Sequence, residues 1–296
     1  GASNLTGRRR GLISVGIVGF GTMGHIRYNA ISDDGRGQVV AIADPHNDID
    51  VSGVRAHASA EDLIADPQVE AVFICTPNYL NKPLTVRAIQ AGKHVFCEKP
   101  PAFNAREVEG VIAAEQKAGG IRLMYGFNHR HHDSVKKAKE LIDSGIYGRV
   151  LWMRGRYGKS VDQGFFSNWR AQKELAGGGI LMDQGIHLLD LFLMMAGDFD
   201  EALAYVSNLY WKLDMEDNVF AILRNRDGVV ASLHSTMTQW RHLFAFEIFL
   251  EKGYIVINGL LTTSGTYGEE ELTIAKNRTT APAATWSDEE RTQYTV

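Results

Sequence analysis

With 296 residues, 45% of them hydrophobic, the chain holds enough apolar material for a sizeable core but exceeds what one core ordinarily serves, so two domains are expected. Its formal net charge of -4 gives no electrostatic footing for nucleic acid or an anionic membrane surface, and small molecules are left as the expected partners. No apolar run approaches the ~20 residues a bilayer crossing needs, and Cys75 and Cys97 each close an apolar run, so a cytoplasmic protein with reduced core thiols is expected.

The opening GASNLTGRRRG is short and polar, and residues 1–12 read as a tag or arm outside the fold. From residue 13 the text alternates strand-like apolar runs with helical stretches: ISVGIVGF, HIRYNAIS, QVVAIAD, ASAEDLIAD, EAVFICT, KPLTVRAIQAG, HVFCE, AREVEGVIAAEQKAG and IRLMYGF. Strands apolar on both faces and separated by helices predict an α/β domain with a doubly wound parallel sheet over 13–127. After the helical SVKKAKELIDSG the grammar changes. VLWMRGRYG, EALAYVSNLYWKL, NVFAILRN, GVVASLHSTMT, FAFEIFLEKGYIVIN and ELTIAKN alternate and are joined by turn signals such as RDG and EKG, which predicts a second domain over 128–296 built on an antiparallel sheet. The closing TAPAATWSDEERTQYTV reads as a polar tail.

Gly19, Gly21 and Gly24, with Thr22 and Met23 between the last two, form G-x-G-x-x-G after the first strand and at the start of the first helix. Asp44 follows 25 residues beyond Gly19, at the end of the second strand. This is the context a dinucleotide pyrophosphate needs: a tight turn, a close backbone approach and a helix N-terminus offering N–H donors. Asp44 is expected to accept from the ribose hydroxyls and to oppose a 2′-phosphate, favouring NAD over NADP; its alternative role is a strand-end cap ahead of Pro45. Thr76, Pro77 and Asn78, at the carboxyl edge of the sheet, either wall the cofactor or serve as turn and cap. Glu98 and Lys99, in HVFCEKPPAF, end a further parallel strand at that same edge, where charges face a crevice and Pro100 keeps Lys99 extended; a plain ion pair between them is the alternative.

In the second domain, Asp183, His187 and Asp190 fall at i, i+4 and i+7 of an otherwise apolar helix. A helix that apolar is buried, so its polar stripe must meet internal partners or a ligand. An imidazole flanked by carboxylates one turn away suits acid–base work. The run HRHHD at 129–133 is not read as a metal site, because no second cluster at ligand spacing completes one.

The combination of GFGTMG, TPNYLNKPLTVRAIQAGKHVFCEKP and GGGILMDQGIHLLD resembles the Gfo/Idh/MocA oxidoreductases, relatives of glucose–fructose oxidoreductase and inositol dehydrogenase, over about residues 13–275. The resemblance implies that Lys99, Asp183 and His187 act on a secondary hydroxyl of a sugar, polyol or nucleotide sugar, with hydride passing to or from NAD. His187 would take the proton, Lys99 would stabilise alkoxide charge, and Asp183 would orient substrate or imidazole. It also implies that Asn128, Arg156 and Arg170, in segments that with Arg130 line substrate, touch the ligand; that Glu98 and Lys99 border the cofactor; and that the open, mainly antiparallel sheet of an α+β domain assembles dimers or tetramers. Two other classes are consistent with the same letters: a lyase or glycosidase that recycles bound NAD, and a non-catalytic dinucleotide-binding regulator. Asn81 stands where many relatives carry histidine, which points to an altered cofactor wall, and the chain ends where relatives usually continue into a closing helical segment.

Overall fold

Strand β1 (Ile13–Val18) is buried at every position from Ser14 to Val18, which a strand can sustain only where both faces of its sheet are covered. The computed structural model describes residues 11–276 and 286–296, and the chain divides between Gly126 and Phe127 into two units. The arm at residues 1–10 and the stretch 277–285 of the polar tail lie outside the described residues.

In the first unit β1 is followed by α1 (Thr22–Asp34), β2 (Gly37–Ala43), β3 (Arg55–His57), α2 (Ala60–Ala65), β4 (Ala71–Ile74), α3 (Asn78–Gln90), β5 (His94–Cys97), α4 (Ala105–Ala118) and β6 (Leu123–Tyr125). The sheet is parallel throughout, in the order β3-β2-β1-β4-β5-β6. Strand order reverses between β1 and β4, and the crevice at the carboxyl ends there is where such sheets take ligands. Two apolar clusters cover the sheet, one around Val72, Ile74, Leu84 and Val95, the other around Val15, Ile17, Ile31 and Ile42. Local signals agree with the elements: Ser59 caps α2 by accepting from the Asp62 N–H at 3.1 Å, and Asn104 caps α4 by accepting from Glu107 at 3.0 Å. The short β3 was not anticipated, since three residues are too few to show a period. Helix α3 begins four residues ahead of the KPLTVRAIQAG stretch read as helical, taking Asn78 and Asn81 into it.

The second unit comprises α5 (Asp133–Ser144), β7 (Val150–Ser160), the short α6 (Lys173–Ala176), a π-helical turn (Leu181–Gly185) running into α7 (Ile186–Ala196), and strands β8 (Glu201–Ser207), β9 (Asn218–Arg224), β10 (Val230–Thr236), β11 (Thr238–Leu250), β12 (Gly253–Asn258), β13 (Glu270–Lys276) and β14 (Glu290–Tyr294). Its eight strands run β14-β13-β12-β11-β7-β10-β9-β8; β7 and β10 are parallel and every other neighbouring pair is antiparallel. On one face Met153, Tyr157, Leu233, Phe246 and Ile255 pack with Val135 of α5 and Leu188, Leu191 and Phe192 of α7. Strand β14 corrects the reading of the last residues as tail: Glu290–Tyr294 pair with β13 as the sheet edge.

Lys173–Ala196 is by length and composition apolar enough to cross a bilayer, but it is interrupted by Asp183, His187 and Asp190, and 56% of its apolar window is buried inside the unit, as in a core helix. Apolar residues on nearly all sides of α7 are thus matched by burial against the sheet.

Candidate functional site

The dinucleotide end of the first unit is built by its glycines. Gly19 has φ +86°, and a Cβ there would lie 2.4 Å from the Cys75 carbonyl; a Cβ at Gly24 would lie 2.2 Å from the Gly19 carbonyl. Both positions therefore exclude any side chain, and the loop turns tightly from β1 into α1. Gly21 is the N-cap of α1 and supplies no side-chain cap, the first turn carries no acid, and Gly21 and Thr22 are exposed while Met23 is half-buried. The first N–H groups of α1 are thus available to an anion, and the cradle fits a pyrophosphate.

Asp44 is more committed than the sequence suggests. Its Oδ2 accepts from the Phe20 N–H at 2.7 Å and the Asn47 side-chain amide at 2.8 Å, and its Oδ1 from the N–H groups of His46 (2.7 Å) and Asn47 (3.1 Å). Burial works to raise its pKa, but these donors outweigh it and hold the carboxyl below its ordinary value. The carboxylate is thereby a cap that ties the glycine loop to the end of β2.

At the end of β5 the two charges part company. Glu98 is buried, and its Oε1 pairs with Arg27 Nε of α1 at 2.5 Å, the guanidinium lying 4.9 Å over the Phe96 ring. Lys99 is half-exposed and precedes Pro100 through a cis peptide bond. The carbonyls on either side of it are held by one amide: Asn81 Nδ2 donates to Glu98 O at 3.2 Å and to Pro100 O at 2.8 Å, while Thr76 Oγ1 donates to Asn81 Oδ1 at 3.3 Å. Asn81 is fully buried. Instead of altering a cofactor wall, it braces the Glu98–Pro100 turn. Pro77 is the N-cap of α3 and Asn78 its buried first residue.

In the second unit the Gly177–Gly179 run lets the chain pass Glu216 closely; a Cβ at Gly179 would lie 2.1 Å from the Glu216 carbonyl. The Glu216 carboxylate then accepts from the N–H groups of Gly179 and Leu181, both at 3.1 Å, and anchors the start of the π turn. The turn inserts one residue, so Asp183 and His187 depart from the simple α-helical stacking the spacing predicts. Asp183 Oδ2 pairs with Lys159 Nζ of β7, and its Oδ1 with Arg170 Nε at 3.3 Å. Asp190, one turn beyond His187, accepts two hydrogen bonds from Arg130, one from Nε at 2.7 Å. The buried stripe thus splits: Asp190 has an internal partner, while Asp183 sits between two cations.

His187 is 5% exposed and stacks on His129, ring centroids 3.9 Å apart and planes 24° from parallel. His129 is hydrogen-bonded through Nε2 to the Tyr157 hydroxyl at 2.9 Å, and Gln184 donates to the Tyr267 hydroxyl at 2.5 Å. Burial raises the pKa of both phenols, most strongly that of Tyr157. Burial and the Lys159 charge lower that of His242. Two histidines of the HRHHD run take structural partners, His129 the Tyr157 hydroxyl and His132 Nδ1 the Glu270 carboxylate at 2.6 Å from Oε1.

One expected ligand contact is corrected. Arg156 alternates with Tyr157 and so points to the opposite face of β7 from Tyr157 and Lys159; its neighbour in register is His234, which stacks on the exposed Phe220. Arg170 is placed on Asp183 as described, and Asn128 lies exposed in the turn preceding His129. Lys159, His129, Tyr157 and Tyr267 were missed. The strand period of β7 alone was signal enough to choose Lys159 over Arg156, once Tyr157 is taken as inward.

Residues 13–127 match the oxidoreductase family with an NAD-binding Rossmann fold, and residues 135–256 match the GFO/IDH/MocA C-terminal domain. The chain is 32% identical over 225 residues to a levoglucosan dehydrogenase of Pseudarthrobacter phenanthrenivorans, covering 66% of this chain and 57% of the relative. It is 31% identical over 208 residues to a 1,5-anhydro-D-fructose reductase of Ensifer adhaerens, covering 69% and 61%. It therefore spans about three-fifths of the length of these relatives. A solved levoglucosan dehydrogenase in complex with NADH and levoglucosan superposes with a TM-score of 0.81 at 27% identity, covering 96% of this chain and 80% of that one. The two matches together cover most of the chain, a glycine cradle on a parallel sheet followed by a mainly antiparallel domain, and the chain belongs to the Gfo/Idh/MocA oxidoreductase family.

Proposed function

We propose that the protein oxidises a secondary hydroxyl of a sugar or polyol, or reduces the corresponding ketone, with NAD as the redox partner. The observation that carries this reading is His187, a buried imidazole on the D-x-G-x-H segment, in a chain whose other unit holds a pyrophosphate cradle and Lys99 at the sheet edge. When bound, the nicotinamide supplies the hydride chemistry. His187 Nδ1 is sealed from solvent, which leaves Nε2 to take the hydroxyl proton. The Lys99 ammonium stabilises the alkoxide charge, and the amide of Asn81 braces the backbone on either side of Lys99. Asp183, held by Lys159 and Arg170, orients the substrate hydroxyl. Asp44 gives the cradle its preference for NAD over NADP by charge.

The free thiols Cys75 and Cys97 suit a reducing, cytoplasmic setting, burial raising the Cys75 pKa to about 12. Exposed apolar pairs across β8 and β9, Leu203 with Ile222 and Tyr205 with Phe220, support a homo-oligomer joined through the outer sheet face; a monomer in light scattering would count against it.

The function is tested by a thermal-shift screen of sugars, polyols and nucleotide sugars with NAD present, followed by steady-state assays on the hits. Sustained accumulation of NADH is expected, with NAD bound more tightly than NADP. Turnover without net NADH would mean that NAD is recycled, as in a lyase.

A further inference from the structure

We propose that Trp240, Tyr210 and Trp211 form an outer substrate subsite in the second unit, which stacks on a second sugar ring joined glycosidically to the one oxidised. The inference deepens the reading of Asp183 and His187 as the residues that meet the reacting ring, and it rests on that reading.

A bulge joins the two places. Strand β11 pairs with β7 at Thr238 with Ser160 and again at Leu243 with Gly158, so residues 239–242 loop out beside Lys159, the partner of Asp183. Gln239 lies over Gly158, where a Cβ would come within 2.8 Å of its side chain. At one end of the bulge the His242 ring stands 4.9 Å from that of Tyr267, which is bonded to Gln184, the neighbour of Asp183. At the other end the Trp240 ring meets Tyr210 at 4.7 Å and Trp211 at 6.1 Å. A second path leads the same way: Lys159 Nζ lies 5.8 Å over the Phe165 ring, and the ring of the next residue, Phe166, is 5.8 Å from that of Trp211.

The backbone holds these rings in place. Asp217, fully buried, accepts from the Tyr210 N–H at 3.1 Å and the Trp211 N–H at 3.2 Å, while the Trp211 indole donates to the Met237 carbonyl at 2.9 Å. The loop before β9 is thereby pinned to the turn before β11. Trp240, with φ +58°, and Lys212, with φ +52°, are the two non-glycine residues of positive φ among the described residues. A bulky residue keeps left-handed backbone only where its surroundings impose it, and such residues gather at ligand clamps. Here the conformation leaves Trp240 57% exposed beside a Tyr210 that is 60% exposed.

Fixed, exposed rings suit a flat apolar face. They are interleaved with Lys212, Asp214 and Arg241, all exposed, which fits a pyranose with C–H groups on its face and hydroxyls round its rim. A protein surface covering the same patch would desolvate those charges. A nucleobase would arrive with a diphosphate, and the cations beside Asp183, Lys159 and Arg170, are already paired with it.

The test is calorimetric titration of the full-length protein saturated with NADH, a state in which hydroxyl substrates bind without turnover. The probes are glucose and galactose, the disaccharides maltose, cellobiose and lactose, and UDP-glucose. At least one disaccharide is expected to bind roughly tenfold more tightly than its own monosaccharides. Trp240→Gly is expected to bring that ratio close to one, and to fold, because glycine accepts φ +58° without strain. Tyr210→Ala, at an exposed position, is expected to reduce the ratio by less. No preference for any disaccharide in the wild type, or a preference unchanged in both variants, overturns the proposal. So does a gain confined to UDP-glucose, which would mean a nucleobase, and so does a change of mass in light scattering for Trp240→Gly, which would mean an interface between copies. Normal turnover by His187→Asn would instead sink the reading of the reacting ring, and the affinity ratio, read without turnover, is unaffected by it.

Discussion

Asn81 shows how much one amide decides. It was legible as a departure from its relatives, but its function was not, because its partners are backbone carbonyls 17 and 19 residues away and carbonyls carry no residue identity. Removing the amide takes the side-chain donor from the Pro100 carbonyl and leaves the Glu98 carbonyl with the weak Cys97 thiol donor at 3.3 Å, and a buried carbonyl left without a donor costs ~1–3 kcal/mol. Asn81→Ala is therefore expected to lower stability by about 2 kcal/mol in chemical denaturation, and to slow turnover of the folded fraction while leaving NAD affinity near wild type. Turnover per folded molecule equal to wild type would show that the brace does not set the position of Lys99. Asp44 teaches the reverse lesson. An acid at the end of the second strand was expected, yet both its oxygens serve the protein first.

At the scale of elements, long periodic segments were readable and short ones were not. Each of β7, β9, β10, β11 and β12 announces itself by alternation, whereas β3 and β14 exist through pairing with a neighbour. The π turn ahead of α7 was hidden for another reason: an inserted residue leaves the composition unchanged while rotating Asp183 toward Lys159.

Glu270 is the hidden tie among these elements. Its carboxylate, 1% exposed, accepts from the Ser134 N–H at the start of α5 (3.2 Å) and from the Leu261 N–H (3.1 Å), and it meets His132 at 2.6 Å. Burial works to raise its pKa, but the His132 bond and the two N–H groups prevail and bring it down to about 2 from a usual 4.5. A carboxyl depressed on folding stabilises the fold above its unfolded pKa, and that contribution drains away as pH falls from 4.5 toward about 2. Glu270→Gln should therefore melt earlier than wild type at neutral pH, with the difference narrowing through this window. A difference constant with pH would contradict the tie.

For the whole molecule, the sequence made the two-part plan visible because the change from doubly wound to alternating grammar coincides with the change of unit at Gly126–Phe127. The motif residues proposed for the site, Lys99, Asp183 and His187, were visible too, at strand and helix ends. What surrounds them was not, since Lys159 and Tyr157 of β7, His129 of the turn before α5 and Tyr267 of the loop before β13 are far apart in sequence and are assembled only by the fold of the second unit. The central claim is that His187 accepts the proton in an NAD-linked reaction on a hydroxyl, and it is tested most directly by His187→Asn. Melting temperature, NAD affinity and turnover on the substrate returned by the screen are to be measured on the same preparation. Folding and NAD affinity are expected to stay near wild type while turnover falls by on the order of a hundredfold or more. A His187→Asn protein that melts early yet turns over normally per folded molecule would contradict the account.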